Sequence, residues 1–287
     1  MIFKTLGSVG EFANGRFALR DGDCYSRRMD DAALLNLAAD LARQAGAIIL
    51  AIRARGFETE AKADRSPVTE ADRAAEALIV AGLRRAAPDI PVVAEEEVAA
   101  GHQPARADCF WLVDPLDGTR EFAAGREEFA VCIGLVRDGH AALGVVGVPA
   151  YGELFGGGVG RGAWKRTTAG EHTIRCRRVA VTGAAVIASR SFVADPRTAK
   201  FLAGHTVASV LHVGSALKFC RVAEGVADLY PRLGRTMEWD TCAAQAVVEA
   251  AGGSIRPVDG EGRVSTERLG YGKPGWENPS FLCQGLA

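Results

Sequence analysis

At 287 residues, with 48% hydrophobic and 24% charged side chains, the chain has the make-up of a globular protein with a sizeable core, in one large domain or two smaller ones. A net charge of −1 excludes a polycationic nucleic-acid or membrane-surface binder, so an anion must be met locally, by metal ions, backbone amides or a few placed basic residues. The seven cysteines are dispersed and never spaced C-x-x-C, which reads as reduced thiols without a zinc or disulfide framework, and no apolar run approaches the roughly 18 residues of a membrane span; a cytoplasmic location is expected.

Residues 1–28 lack the apolar run of an export signal and are expected to form a poorly ordered leader, with Met29 as an alternative natural start. Leu34, Leu37, Leu41, Ala45, Ile48 and Ile52 then recur at helical spacing, predicting a helix over 31–55 that ends before Gly56. The polar stretch "ETEAKADRSPV" (58–68) reads as a loop. Thr69 starts a second helix with Asp72 three residues on, a capping-box spacing, and Ala75, Leu78, Ile79 and Leu83 share one face. "PVVAEEE" (91–97) reads as a strand running into acids, and "FWLVD" (110–114) as another. Two apolar runs joined at Asp138–Gly139 predict a β-hairpin, and glycine-rich "ELFGGGVGRGAW" (153–164) predicts further antiparallel strands. Beyond residue 182, strand-like "AAVIASR", "TVASVLHV" and "ADLYPR" alternate with helix-like stretches near 195–204, 215–225 and 240–251. The expected organisation is an N-terminal α+β half over 29–181 and a C-terminal α/β half over 182–287.

Acids stand where strands or loops give out: Asp72, Glu95–Glu97, Asp114 with Asp117, and Asp240. In a regular strand residues 114 and 117 would face opposite ways, whereas a turn fixed by Pro115 would converge them. Clustered carboxylates repel one another unless hard cations neutralise them, and an all-oxygen donor set suits Mg²⁺. Gly118 permits close approach by a ligand, and a helix starting near Thr119 would turn the Gly118 and Thr119 amides toward an anion. The implied chemistry is metal-assisted transfer of a phosphoryl group to water. Each acid has a plainer explanation as well. Asp72 serves as a helix-capping acid, Glu95–Glu97 as a solvated charge run, and Asp240 as a helix-start acid favoured by the macrodipole.

Taken together, "VVAEEE" (92–97), "DPLDGT" (114–119) and "EWDTCAAQAVVEAAGG" (238–253) resemble the inositol monophosphatase superfamily of Mg²⁺-dependent, lithium-sensitive phosphatases, over residues 31–283. Within it, "SPVTEAD" (66–72), "GSALKFCRVAEGVADLYPRLGRTMEWDT" (214–241) and "NPSF" (278–281) look most like the CysQ-type 3'(2'),5'-bisphosphate nucleotidases. The resemblance implies the layered αβαβα sandwich of inositol monophosphatases and sugar phosphatases, mixing α/β and α+β parts. It implies removal of the 3'-phosphate from 3'-phosphoadenosine 5'-phosphate, a by-product of sulfate assimilation, with two or three Mg²⁺ ions as cofactors. Glu95, Asp114, the Leu116 carbonyl, Asp117 and Asp240 would hold the metal. Thr119, hydrogen-bonded to Asp72, would orient and deprotonate the attacking water together with Glu95 as ligand, and the Gly118 and Thr119 amides would hold the phosphate. Ser215, Lys218, Arg232 and Asp240 would contact the substrate, although taken alone Ser215 is as readily a helix cap and Lys218 a solvated lysine.

The chain departs from the pattern at two places. Phe192 stands where nucleotidases often carry histidine, and Cys242–Ala243–Ala244 replaces the commoner Ala-Ala-Gly. The rival substrates are inositol monophosphate and other small phosphate monoesters such as histidinol phosphate. A different class, a non-catalytic metal or phosphate binder, has no use for the Asp72–Thr119 pair. The expected partner is a small phosphate ester rather than a nucleic acid polymer or a membrane, and the expected assembly a monomer or homodimer.

Overall fold

The computed structural model describes residues 29–61, 67–102, 104, 107–189 and 196–286; the leader 1–28, Ser66 and Phe192 lie outside these. Helix α1 (Asp31–Arg55) is capped by Asp30, whose carboxylate accepts from the Ala33 amide, and it stops at Gly56 with φ 84°. The stretch read as a loop instead pairs with itself: β1 (Thr59–Ala61) and β2 (Pro67–Thr69) form an antiparallel ribbon. Such short strands carry too little apolar alternation to register in the sequence. Helix α2 (Glu70–Ala86) begins with the reciprocal Thr69–Asp72 capping box. Strand β3 (Val92–Ala94) leads into helix α3 (Glu95–Ala99), so Glu95–Glu97 form a helical first turn rather than a strand end.

Strand β4 (Cys109–Asp117) runs through Pro115, and helix α4 (Thr119–Ala123) follows. Strands β5 (Ala130–Arg137) and β6 (His140–Val148) meet at Asp138 (φ 51°) and Gly139 (φ 73°), the left-handed pair that a two-residue hairpin turn requires. Next come β7 (Glu153–Gly158), β8 (Gly162–Thr167) and β9 (Gly170–Ile174). The rest is β10 (Ala184–Ala188), α5 (Pro196–Leu202), β11 (Val207–His212), α6 (Leu217–Ala223), β12 (Leu229–Arg232), α7 (Cys242–Ala250), β13 (Ser254–Pro257) and β14 (Phe281–Gln284).

The strands make a seven-stranded sheet, β3-β4-β5-β6-β7-β8-β9, and a five-stranded one, β11-β10-β12-β14-β13. Along β5, Val131, Ile133 and Leu135 join the core under α1 and α2, while Ala130 and Cys132 face the other way, into the core around α6 and α7. Phe201 and Leu202 of α5 pack on Val186, Leu229 and Leu282, the outer face of the smaller sheet. The layers therefore run α, β, α, β, α, the expected sandwich, with α6 and α7 between the sheets. Helix α1 is long and apolar enough to cross a membrane by length and composition, yet its apolar stripe is spent on α2 and the larger sheet.

Two features of the larger sheet govern the middle layer. Gly134 and Gly144 pair across β5 and β6 directly beneath α7. A Cβ at Gly144 would lie 2.1 Å from the Ala243 carbonyl oxygen, so the helix backbone rests on the sheet backbone. In β4 the register slips: Asp114 pairs with Cys132 but Asp117 with Ala130, three residues of β4 answering two of β5. Cys132, Cys176, Cys220, Cys242 and Cys283 are buried free thiols. Cys109, against expectation, is disulfide-bonded; sequence spacing does not report proximity in space.

Candidate active site

The slip in β4 decides where its acids point. Side chains alternate along a strand, so one extra residue reverses the parity beyond it. Asp114 and Asp117, three apart, thus both face the middle layer, while Leu116 turns into the core under α1 and α2. The expected turn at Pro115 is a bulged strand instead, with the same convergence. Asp114 is 2% exposed and oriented through Oδ1, which accepts from the Leu116 amide at 3.0 Å. Asp117 accepts through Oδ2 from the Ser215 hydroxyl and the Ala216 amide at the start of α6. Asp240, in the turn before α7, accepts through Oδ2 from the Met237 amide at 2.8 Å. Glu95 is the first residue of α3.

These acids feel one another. Burial pushes the Asp114 carboxyl well above the usual range, and repulsion from Glu95, Asp117 and Asp240 adds to it. Asp240 is raised by burial and then by Asp117 and Glu95, with Arg232 acting weakly the other way. Among the described residues no three acids, imidazoles or thiols close into a ready cation cage. The donor set nevertheless fits a hard cation: one buried and three half-buried carboxylates that repel one another, with Asp114, Asp117 and Asp240 each oriented through one oxygen.

Beside them, the Thr119 hydroxyl lies 3.0 Å from Asp72 Oδ1 and 3.0 Å from the Leu116 carbonyl, with one proton to donate between the two. Asp72 makes both of its expected contacts, the helix cap and the bond with Thr119. Its Oδ2 accepts from the Thr69 amide and hydroxyl, both at 2.7 Å, which leaves Oδ1 for Thr119. Burial raises its pKa. Gly118 precedes α4 with φ 90°, a left-handed conformation that side chains resist, and an added Cβ would meet Glu128 O and Ser215 Cβ at 3.1 Å.

Ser215, itself at φ 59°, does not cap α6; its hydroxyl serves Asp117. Lys218 is buried rather than solvated: its ammonium donates to the Ser215 carbonyl at 2.6 Å and lies over the Tyr230 ring. Burial pulls its pKa down to about 8, partly offset by Asp117, with Arg232 adding repulsion. Arg232, at the end of β12, donates from Nη2 to the Arg235 carbonyl, while its buried Nε has no acceptor. A 910 Å³ cleft opens at Glu95, bounded by α2, α3, Arg235, Met237 and Trp239.

Glu76 and Glu238 are buried glutamates that the sequence did not single out. Glu76, one turn after Asp72 on α2, accepts from the Glu96 and Glu97 amides. Glu238, fully buried, accepts from the Gly272 and Lys273 amides and pairs with the Lys273 ammonium, bracing the turn that carries Asp240. The only sequence signal was an acid on an otherwise apolar face, at Glu76 among Ala75, Ile79 and Leu83.

A model of the inositol monophosphatase family matches residues 30–286. The chain belongs to this family. As an inositol monophosphatase family member it is a phosphoric monoester hydrolase, of a family that is generally metal-dependent. The 3'(2'),5'-bisphosphate nucleotidase CysQ of Salmonella typhimurium is 40% identical over 247 residues, 85% of this chain and 98% of its own. The crystal structure of CysQ from Bacteroides thetaiotaomicron superposes with a TM-score of 0.73 at 34% identity, covering 88% of this chain and 97% of that one. An inositol monophosphatase from Anabaena gives 0.68 at 26% identity, covering 89% and 91%.

Proposed function

We propose that the chain hydrolyses the 3'-phosphate of 3'-phosphoadenosine 5'-phosphate to AMP and phosphate, in a Mg²⁺-dependent reaction. The observation that carries hydrolysis is the Thr119–Asp72 hydrogen bond beside four acids, Glu95, Asp114, Asp117 and Asp240. The choice of substrate draws support from the nucleotidase relatives and from Lys218 and Arg232, whose charges stand beside the acids. The Arg232 Nε, buried without an acceptor, suits a phosphate oxygen.

Glu95, Asp114, the Leu116 carbonyl, Asp117 and Asp240 would hold two or three Mg²⁺ ions, which would supply charge to offset the acids, ease deprotonation of water and stabilise the leaving oxygen. The chain's own groups position and move the proton. With its hydrogen on Asp72 Oδ1, the Thr119 hydroxyl turns lone pairs to the attacking water and takes its proton as its own passes to Asp72. The raised pKa of Asp72 suits that acceptor. The new oxygen–phosphorus bond forms as the bond to the 3' oxygen breaks, and that oxygen leaves with a proton from solvent. The Gly118 and Thr119 amides hold the transferring phosphate, and Lys218 and Arg232 the second one, while Ser215 orients Asp117 beside them.

A phosphate-release panel tests it, with 3'-phosphoadenosine 5'-phosphate, inositol 1-phosphate and histidinol phosphate, each with and without Li⁺. The bisphosphate should be preferred, Li⁺ should inhibit, and removal of Mg²⁺ should stop release. Equal kcat/KM on inositol 1-phosphate overturns the substrate assignment.

A further inference from the structure

Helix α3 has Ala94 at its N-cap and no side-chain cap of its own. Its first amides are answered from another helix. Glu76 of α2 accepts from the Glu96 amide at 2.7 Å through one carboxylate oxygen and from the Glu97 amide at 2.9 Å through the other. The side chain is 5% exposed, among Ala75, Ile79, Val80 and Leu83. A charge in such company is costly: burial and the nearby Glu96 and Glu97 push its pKa up to about 7. An apolar residue would serve the packing of α2 better, so the acid is there for what it holds.

We propose that Glu76 is a positioning residue for the reaction: by gripping two successive amides it fixes the place and twist of the first turn of α3, and so aims Glu95 at the site it shares with Asp114, Asp117 and Asp240. One bond would leave the turn free to swivel; two, on separate oxygens, do not. A helix of five residues cannot hold its own orientation, because its unmade terminal hydrogen bonds outweigh those it makes. A further tie between α2 and α3, the two-pronged pair of Arg84 with Glu97 at 2.8 and 2.7 Å, sits on the solvent side of the turn, where water screens it, whereas Glu76 grips the backbone itself from the buried side. Asp72 and Glu76 sit one turn apart, so α2 orients the Thr119 hydroxyl with one acid and α3 with the next.

The inference rests on Glu95 being a metal ligand, and its test separates the two claims. Mg²⁺ binding to the full chain is measured by calorimetry without substrate, for Glu76→Ala, Glu76→Gln and Glu95→Gln, with amide hydrogen exchange and melting followed in parallel. Glu76→Ala should weaken Mg²⁺ binding about tenfold, the scale of lost support behind a ligand, and raise the half-saturating Mg²⁺ concentration alike, with the KM for substrate at saturating Mg²⁺ unchanged. Glu76→Gln, isosteric and keeping one acceptor, should lie between, with faster exchange at the Glu96 and Glu97 amides. Wild-type Mg²⁺ affinity in both Glu76 variants, whatever their melting temperatures, overturns the positioning role if Glu95→Gln loses binding. Unchanged affinity in Glu95→Gln overturns the metal-ligand reading beneath it.

Discussion

Replacing Gly144 with alanine drives a methyl group into the backbone of α7. The added Cβ would lie 2.1 Å from the Ala243 carbonyl oxygen and 2.7 Å from the Ala243 Cα. Both are backbone atoms, so no side chain can swing away. Restoring a contact of 3.4 Å requires α7 to retreat by about 1.3 Å. Overpacking of this kind costs about 3 kcal/mol, which for a chain of this size lowers the melting temperature by roughly 6 °C. The larger effect falls on the site. Asp240 lies two residues before α7 and moves with it, whereas Asp114 and Asp117 stay on β4. A misplacement near 1 Å costs about a hundredfold in rate. Circular dichroism melting and Mg²⁺-dependent phosphate release, the latter at a temperature where both proteins are folded, measure the two effects separately. Gly144→Ala with wild-type turnover and melting would refute the claim that the close approach of α7 to the sheet sets the position of Asp240.

Asp117→Asn should lower Mg²⁺-dependent turnover more than about a hundredfold while the melting temperature without metal holds, because asparagine keeps an acceptor for the Ala216 amide; kinetics and calorimetry check both. Asp114 has a raised folded pKa, so the metal-free protein holds its proton more tightly than the unfolded chain, and this contribution to stability fades as pH rises. Asp114→Asn should therefore flatten the decline in metal-free melting temperature above pH 4, and Mg²⁺ should flatten it in the wild type; a slope unchanged in both cases counts against the carboxylate cluster. Lys218, with a pKa pulled down to about 8, carries its charge below that pH and loses it above. The KM for the bisphosphate should rise through pH 8 in the wild type and stay level in Lys218→Met, in a pH series at saturating Mg²⁺. Arg232→Ala should raise the KM for the bisphosphate about tenfold with kcat little changed; an equal loss on inositol 1-phosphate speaks against a second-phosphate contact.

Local signals were the legible ones. The capping box at Thr69 and Asp72, the apolar stripe of α1 and the Asp138–Gly139 turn depend on residues within a few positions of each other, and each formed as expected. The acids were visible as candidates too, although Asp72, Glu95–Glu97 and Asp240 each had a plainer reading by position, and it was the joint resemblance of their motifs to one family that set them together. What stayed hidden depends on distant pairing. The β1–β2 ribbon and strands β9, β13 and β14 take their stability from partners rather than from their own pattern. The bulge in β4 exists only relative to β5. The roles of Glu76 and Glu238 rest on amides of other elements, which nothing in their own neighbourhood in the sequence announces. Lys218 likewise reads as solvated, and its burial becomes apparent only when Tyr230 and Ser215 close around it.

The extra residue in β4 also determines which kinds of mutation the site survives. Convergence of Asp114 and Asp117 depends on how many residues separate them, and much less on what those residues are. Exchanging Pro115 or Leu116 for another side chain leaves the count intact. Deleting either one restores regular alternation with β5 and turns every residue beyond it over, carrying Asp117, Gly118 and Thr119 away from Ser215 and Asp72 in a single step. In this segment the chain can drift in composition yet cannot change length, so insertions and deletions mark its boundary more sharply than substitutions do.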